Sequence, residues 1–457
     1  MPGPVFSPPG FSGRIGIARA DITPPVGIYH RNWGASDHEQ AEGIRSHLTL
    51  TVLTLEPGPL VLAAADLGWW RDPADEWYVR SAVLDALSLD PANFLLNFSH
   101  THAGPVLCRA DADRPGGHLI APYLDFLRET LLRTIGDALD SAQDDDLEFA
   151  YGKCLVAVNR DQPDPEGRER YVIGLNEHAP ADDTLLIARL RHGDALLVNY
   201  ACHPTVMNYD NREISADFVH DLRIGIEDEW FRLCMFLQGA SGELSPLPTT
   251  PDDLDLAAYK AGVPIAFAAL ATNAARPATA LAFTRVVESG APLAEWTPIP
   301  PSTPTAYPSD LRAALVEVDL PLKPEWQGET DEEKRWAASS EPADREKLRR
   351  RQRIRQALGG RPTATLPLWV WKVGDAFVVA TPTEAYSRLQ TELRAAFPGQ
   401  PILVMNVTNG WWGYLPPAEF YDRDMYPVWQ TPFAPGGLEI VIERAKKTIE
   451  SLRRGPV

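Results

Sequence analysis

An apolar run ends in two histidines spaced two residues apart: NFLLNFSHTHAG, residues 93–104, carries His100 and His102. On an extended backbone alternate side chains share a face, so both imidazoles are expected on one side of a strand end. That placement suits metal binding or proton transfer. His203 closes a second apolar run in the same manner, in LLVNYACHPT (196–205). Neutral imidazole is a normal zinc ligand, and catalytic zinc sites mix histidines with carboxylates while leaving a position for water. His100 and His203 are therefore the first candidate metal ligands. His102 is a candidate for proton transfer or oxyanion stabilisation. The ordinary alternative is that each histidine is a satisfied core residue.

Other residue types could complete such a site. Arg160, in LVAVNRD (155–161), is a fixed cation at a strand end that could steady a carbonyl or carboxylate. Glu384 is expected to open a helix in ATPTEAYSRL, capped by Thr381 or Thr383, where the helix dipole favours a carboxylate. It is equally a candidate anionic ligand. The segment NGWWGYLPPAEFY (409–421) is dense in Gly, Pro and aromatics and reads as a rigid binding loop, from which Tyr414 and Tyr426 could reach the site. Ser245 lies in SGELSP, which is not a GxSxG nucleophile elbow. The four cysteines, Cys108, Cys154, Cys202 and Cys234, form no CxxC knuckle. Cys202 adjoins His203 but would face away from it on a strand. GxxxxGK and GxGxxG are absent, so neither phosphate cradling nor dinucleotide binding is indicated.

Strands and helices alternate along the chain and set these residues in one topological position. Apolar, β-branched runs predict strands at 13–20, 47–55, 59–66, 93–99, 147–158, 184–190, 194–201, 232–238, 279–287, 312–319, 368–373, 376–381 and 401–407. Apolar spacing of three and four predicts helices at 73–87, 122–141, 213–230, 254–274, 384–396 and 437–453. The mixture implies an α/β fold with large mixed sheets, one or two packed together, flanked by helices. Five polar clusters follow strands: the 100–102 histidines, His203, the 239–246 segment, Glu384 and the 409–414 loop. Ligands bind outside the carboxyl ends of strands in helix-covered sheets, so one cleft is expected to collect them. Residues 320–360 run from acidic to basic and read as an exposed helical hairpin, an oligomer contact or a site cover.

Composition excludes several classes. With 43 Lys and Arg against 62 Asp and Glu the formal charge is −19, which argues against nucleic-acid binding by the surface as a whole. No stretch of 18 uncharged apolar residues and no N-terminal signal pattern are seen, so a cytoplasmic enzyme without integral membrane association is expected. A homo-oligomer remains open.

The chain resembles the catalytic domain of the neutral/alkaline ceramidases. The phrases that carry the resemblance are IGIARADITPPVG (15–27), EGIRSHLTLTVL (42–53), SHTHAGP (99–105), VNR (158–160), ACHPT (201–205), GELSP (242–246), TPTEAY (381–386) and GYLPPAEFY (413–421), in family order. The resemblance implies that fold and one catalytic zinc ion held by His100, His203, Glu384 and Tyr414. It places His102 beside the metal as a catalytic group, Arg160 and Tyr426 against substrate, and Ser245 in the site wall. The family phrase around the glutamate is PGE, where this chain has PTE. One catalytic domain over 1–457 is expected, without the family's immunoglobulin-like C-terminal domain. The loop after the HTH phrase, AGPVLCRADADRPGG (103–117), departs from the family's compact SGPGG. Its charges are expected to reshape the pocket towards a substrate more polar than ceramide. The reading is a zinc-dependent hydrolase of an amide or ester acting on a small molecule. A metal-dependent lyase or hydrolase acting on a sugar acid or glycan is the alternative.

Overall fold

Alternating apolar positions build two β-sheets that pack face to face. The computed structural model describes residues 4–192, 194–228, 230–248, 253–276, 280–299, 307–359 and 361–454. Thr279, where a strand was expected to begin, and Gly360, at the end of the charged segment, lie outside the described residues. The larger sheet contains β1 (Gly10–Asp21), β2 (Thr49–Glu56), β3 (Leu60–Ala65), β4 (Phe94–Phe98), β5 (Gln143–Lys153), β6 (Thr184–Leu190), β7 (Ala195–Tyr200) and β8 (Leu233–Gln238). Their spatial order is 8-7-6-5-1-2-3-4. The β7–β8 and β3–β4 pairs are parallel and the others antiparallel. The second sheet holds β9 (Leu311–Pro321), β10 (Thr363–Val373), β11 (Ala376–Ala380) and β12 (Ile402–Met405) in sequence order, with only β11–β12 parallel.

The period of two decides which face each residue buries. On β2, Leu50 and Val52 point to the helices, while Leu53 and Leu55 point to the other sheet. On β10, Leu366, Leu368 and Val370 face outward under helices, and Trp369, Trp371 and Val373 fill the space between sheets. Full burial of each such aliphatic side chain contributes roughly 1.5–3 kcal/mol. The two indole N–H groups stay satisfied in this core, donating to the carbonyls of Pro91 and Ala92 at 3.0 and 2.6 Å.

Helices cover both outer faces. α1 (Pro73–Leu87) packs on α2 (Ile120–Asp140), which lies across β1 and β2. α3 (Phe218–Glu227) and α4 (Leu254–Ala274) cover β8, β5 and β6. α4 is long and apolar enough to cross a membrane by length and composition, yet its Ala258, Ala261, Ile265 and Ala269 are buried against the protein. α5 (Asp331–Ala338) and α6 (Pro342–Leu358) form a hairpin. α5 opens with a Thr330/Glu333 capping box. α7 (Arg388–Ala396) and α8 (Gly437–Arg454) cover β12, β9 and β10. Of the two expected arrangements, one mixed sheet or two packed sheets with outer helices, the second is realised, in four layers.

The larger sheet curls until its edge strands β4 and β8 approach each other. A buried amide network joins their carboxyl ends to β12. Asn97 Oδ1 accepts from the Gln238 N–H at 3.0 Å, and its Nδ2 donates to the Asn406 carbonyl at 2.7 Å. Asn199 donates to the Leu237 and Val404 carbonyls at 3.1 and 3.0 Å. Most buried polar groups are paired in this way. The strand ends that carry His100, His203, the 239–246 segment and the 409–414 loop are thereby drawn together.

Two local expectations need correction. Glu384 does not open a helix: Glu384–Ala385 is a two-residue strand paired in parallel with Tyr414–Leu415, and α7 begins at Arg388. The pairing sets Glu384 directly opposite Tyr414, and Thr381 and Thr383 bond to each other at 3.1 Å instead of capping. The 320–360 segment is helical as expected, but it is not merely an exposed excursion. Trp326, Glu333, Arg351 and Ile354 are buried, and Glu333 pairs with Arg355 at 2.7 Å.

Candidate metal centre

The backbone leaves β4 at Phe98 and His100 takes φ +70°, a left-handed conformation. The strand geometry assumed from the i, i+2 spacing therefore stops before the histidines. The kink still brings the His100 and His102 rings to 5.0 Å between centroids, at 84°. His203 follows β7 and lies 4.9 Å from the His100 ring and 6.2 Å from that of His102.

Backbone carbonyls orient both outer imidazoles. His100 Nδ1 donates to the Gly68 carbonyl at 3.1 Å, and His203 Nδ1 to the Ser241 carbonyl at 2.7 Å. Each Nε2 is thereby left as the inward atom. Glu384 Oε2 lies 3.3 Å from His100 Nε2 and 2.9 Å from His203 Nε2. The other carboxylate oxygen, Oε1, accepts from the Trp411 indole at 2.7 Å. Burial and the nearby Arg160 guanidinium lower the His203 pKa to about 4, so its imidazole is neutral near pH 7. Burial alone would raise Glu384, but His100 and His203 hold its carboxyl well below the usual range. A carboxylate oxygen thus faces a lone pair across 2.9 Å, an arrangement that a cation between them resolves. Separations of this size match the ~3.3 Å edges of a tetrahedron with bonds of about 2.0–2.1 Å.

Arg160 is buried behind this group. Its Nη2 donates to the Gly242 carbonyl at 2.8 Å and to the Tyr414 oxygen at 3.0 Å, and lies 3.1 Å from His203 Nε2. Burial, then Glu384, pushes the Tyr414 phenol well above its ordinary value. The Tyr426 ring stands 5.4 Å from that of Tyr414, edge to face. Ser245 lies on a short strand paired with Ala157–Asn159 and its Oγ donates to the Pro246 carbonyl at 3.2 Å. His102 is held between Trp33 and Trp69, with centroids 4.8 and 4.9 Å away, and neither ring nitrogen has a partner among the described residues. Burial, then His100 and His203, lowers the His102 pKa well below its ordinary value.

Two groups of side chains among the described residues could hold a metal ion. One is His100, His102 and His203; the other is Asp72, Asp75 and Cys108. The second is already occupied with structure. Asp72 caps α1, accepting from Ala74 N–H at 2.8 Å, and Asp75 accepts from the Arg109 backbone at 2.8 Å and from its guanidinium. Burial raises the Cys108 thiol, which disfavours the thiolate a metal needs.

A cavity of about 490 Å³ opens beside the histidine group, bounded by His102, Arg160, Ser245, Tyr414 and Tyr426. All eight residues singled out from the sequence therefore meet in one region. Others carried no sequence signal of their own. Trp69 and Trp33 sandwich His102, and α6 contributes Glu346, Lys347 and Arg350 to the cavity wall. Arg350 donates to the Tyr426 oxygen at 2.7 Å, the Asn32 carbonyl at 2.9 Å and Glu346 at 2.8 Å. The loop 106–117, expected to charge the pocket, does not line it: Arg109 pairs with Asp75, and Asp111 with Arg353 at 2.6 Å.

No family model and no curated protein sequence matches the chain. Comparison in three dimensions defines its class: a mixed α/β fold with large mixed sheets and flanking helices, that of the ceramidase catalytic domain. The chain is similar to the neutral ceramidase from Pseudomonas aeruginosa, with TM-score 0.68 and 17% identity over 99% of this chain and 76% of that one. It is equally similar to a ceramidase complexed with C2, with TM-score 0.69 and 17% identity over 98% of this chain and 76% of that one. At this identity the likeness establishes the fold.

Proposed function

We propose that the chain is a metal-dependent hydrolase of an amide or ester, with one zinc ion held by His100, His203, Glu384 and Tyr414. The observation that carries this reading is the convergence of two backbone-oriented Nε2 atoms on one carboxylate oxygen, at 3.3 and 2.9 Å, beside a cavity. A bound divalent ion supplies Lewis acidity towards a carbonyl and lowers the pKa of water. The protein's own groups do the rest. Arg160 fixes the Tyr414 oxygen and is itself held by the Gly242 carbonyl. His102, neutral and without partners, accepts and returns the proton at its free ring nitrogen. The Tyr426 oxygen accepts from Arg350, which leaves its O–H free to donate to a developing oxyanion. Ser245 forms wall.

Trp411 gives this reading a direct check. Trp411→Phe removes only the N–H that holds Glu384 Oε1. Loss of a group that orients a ligand costs 10–100-fold in metal affinity or activity. Competition against a chromogenic chelator should register that drop for the folded variant. Wild-type affinity in the variant counts against Glu384 as a ligand.

The substrate is more polar than ceramide. A cavity of about 490 Å³ has the size of a small-molecule site, and α6 adds Glu346, Lys347 and Arg350 to a lining that also contains Trp33, Ile173, Val206, Leu247 and Trp429. A long acyl chain would need an apolar groove, since each buried methylene contributes about 0.8 kcal/mol. The test is hydrolysis of short- and long-chain ceramides in detergent beside small N-acyl amides, esters and uronate-containing glycans. Turnover of a small amide or ester is expected, with ceramide well below the ~10⁴ M⁻¹s⁻¹ of ordinary enzymes. Efficient ceramide cleavage would overturn the polar-substrate reading and leave the metal centre standing. Cleavage of uronate glycans with formation of an unsaturated product would replace the hydrolase by a lyase.

A further inference from the structure

Helix α6 sends one guanidinium to the surroundings of both groups assigned to proton handling, Tyr426 and His102. Arg350 keeps only 16% of its side chain exposed. Each of its three nitrogens donates within the protein: Nη1 to the Tyr426 oxygen at 2.7 Å, Nη2 to the Asn32 carbonyl at 2.9 Å and Nε to Glu346 Oε1 at 2.8 Å. Glu346 is a fixed anion. Burial alone would raise its carboxyl, but Arg350, Arg71 and Arg349 bring it down to about 2. The charge of Arg350 is therefore met inside the protein and is not held in reserve for an anionic substrate.

Each of these bonds constrains something at the site. The Tyr426 ring already stands edge to face against Tyr414 and Trp429, with centroids 5.4 and 5.0 Å away. The rings leave rotation of the hydroxyl free, and the bond from Arg350 is the only hydrogen bond that hydroxyl makes among the described residues. A phenol oxygen that accepts from a guanidinium cannot aim its own proton at that cation, so the O–H is turned away from α6. The Asn32 carbonyl leads into Trp33, one of the two indoles that enclose His102, and Asn32 Nδ2 donates to the Gly104 carbonyl, two residues beyond His102, at 2.8 Å. The other indole, Trp69, has the Arg350 guanidinium 5.7 Å from its ring centroid, within cation–π range. Neither His102 ring nitrogen has a partner among the described residues, so its orientation depends on these indoles.

We propose that Arg350 is a positioning residue of this site: one guanidinium holds the Tyr426 hydroxyl as a donor and braces the two indoles that orient His102. It touches no reacting atom. The inference rests on the hydrolase reading and adds to it a residue from a helix whose charge run reads as solvated surface. Its effect falls on kcat, because the geometry it keeps is used in the transition state.

The test compares Arg350→Ala, Arg350→Met, Tyr426→Phe and the Arg350→Met/Tyr426→Phe double variant in the full chain, on whichever of the amides, esters and glycans named above the wild type turns over. All are expected to keep the metal content of wild type. Arg350→Met should lose kcat by on the order of 10²-fold, the effect of misplacing reacting groups by about 1 Å, with KM little changed. Tyr426→Phe should lose about 10²–10³-fold, as for an oxyanion donor. Because Arg350 acts through Tyr426, the double variant should fall short of the product of the two losses by at least about tenfold. Millimolar guanidinium chloride, entering the space vacated in Arg350→Ala, should restore much of kcat where equal sodium chloride restores none. If Arg350→Ala does not fold, Arg350→Met, which refills the space, carries the test through kcat, KM and the double variant. A rise in KM with kcat intact overturns the proposal and makes Arg350 a substrate contact. Losses that multiply in the double variant overturn it, as does a folded Arg350→Ala that guanidinium leaves unrestored. Wild-type kcat in Arg350→Met removes this inference alone and leaves the hydrolase reading standing. Absence of turnover by wild type on every substrate removes that reading and the inference with it.

Discussion

Alanine at His203 or at Glu384 will strip the protein of its ion, whereas wild type purified after metal-replete expression will carry about one equivalent, as a mononuclear site requires. The His203 ring is clamped by the Ser241 carbonyl and aims Nε2 at Glu384 Oε2, which in turn lies within 3.3 Å of His100 Nε2. Removing either member deletes a donor and leaves the remaining buried groups without the charge that satisfies them. Elemental analysis of wild type, His100→Ala, His203→Ala and Glu384→Ala reads this directly. Asp72→Ala and Cys108→Ala serve as controls and should keep the metal, since Asp72 caps α1 and the Cys108 thiol holds its proton. Thermal unfolding adds an independent readout. An ion present at about 100 times its Kd stabilises the native state by ~2.7 kcal/mol, and only ligand-competent proteins should show that rise. Wild type without a stoichiometric ion would sink the assignment. A different divalent cation in the same cage would not, because occupancy follows availability as well as ligand type.

How far the sequence foretold this site depends on what each residue's neighbours do. The strands were legible because burial on both faces leaves long apolar runs, as in β3, β7 and β8, whose residues are all buried. The expectation that polar clusters after strands share a cleft holds because β4 and β8 close on each other through Asn97 and Gln238. A left-handed φ at His100, and not the strand alternation expected from the spacing, brings the His100 and His102 rings together. Glu384 looked like a helix start because TPTE mimics a cap, yet its partner is Tyr414, thirty residues on, and such non-local pairing leaves no periodicity to read. The 109–114 charges, expected at the pocket, lie away from it, and Glu346, Lys347 and Arg350 of the 342–358 run line it. Arg109 and Asp111 are absorbed by Asp75 and Arg353, while Arg350, hidden in a run that reads as a solvated helix, reaches Tyr426. A charge run says which residues can be ionised, and only tertiary packing says which one is buried.

His102 separates two arrangements that share the same atoms. Its ring nitrogens come close enough to His100 and His203 to complete a three-histidine cage. A ligating imidazole is held by a hydrogen bond at its other nitrogen, as His100 is by Gly68 and His203 by Ser241. His102 lacks any such tether and is held only by the faces of Trp33 and Trp69. Burial and the two neighbouring histidines keep it neutral, the state in which an imidazole can take a proton. His102→Ala is therefore expected to keep its metal and its fold while losing turnover by on the order of 10²–10⁴-fold, the scale of general acid–base catalysis. His102→Gln, which refills the space between the indoles without a titrating ring, should lose turnover to a similar extent, and so removes a packing explanation. Both variants are to be assayed for metal content and for hydrolysis of whichever amide or ester the wild type turns over. Metal loss in His102→Ala equal to that in His100→Ala would move His102 into the cage and pass the proton-transfer role to Tyr426. Unchanged turnover in both variants would reduce it to the filling between two tryptophans.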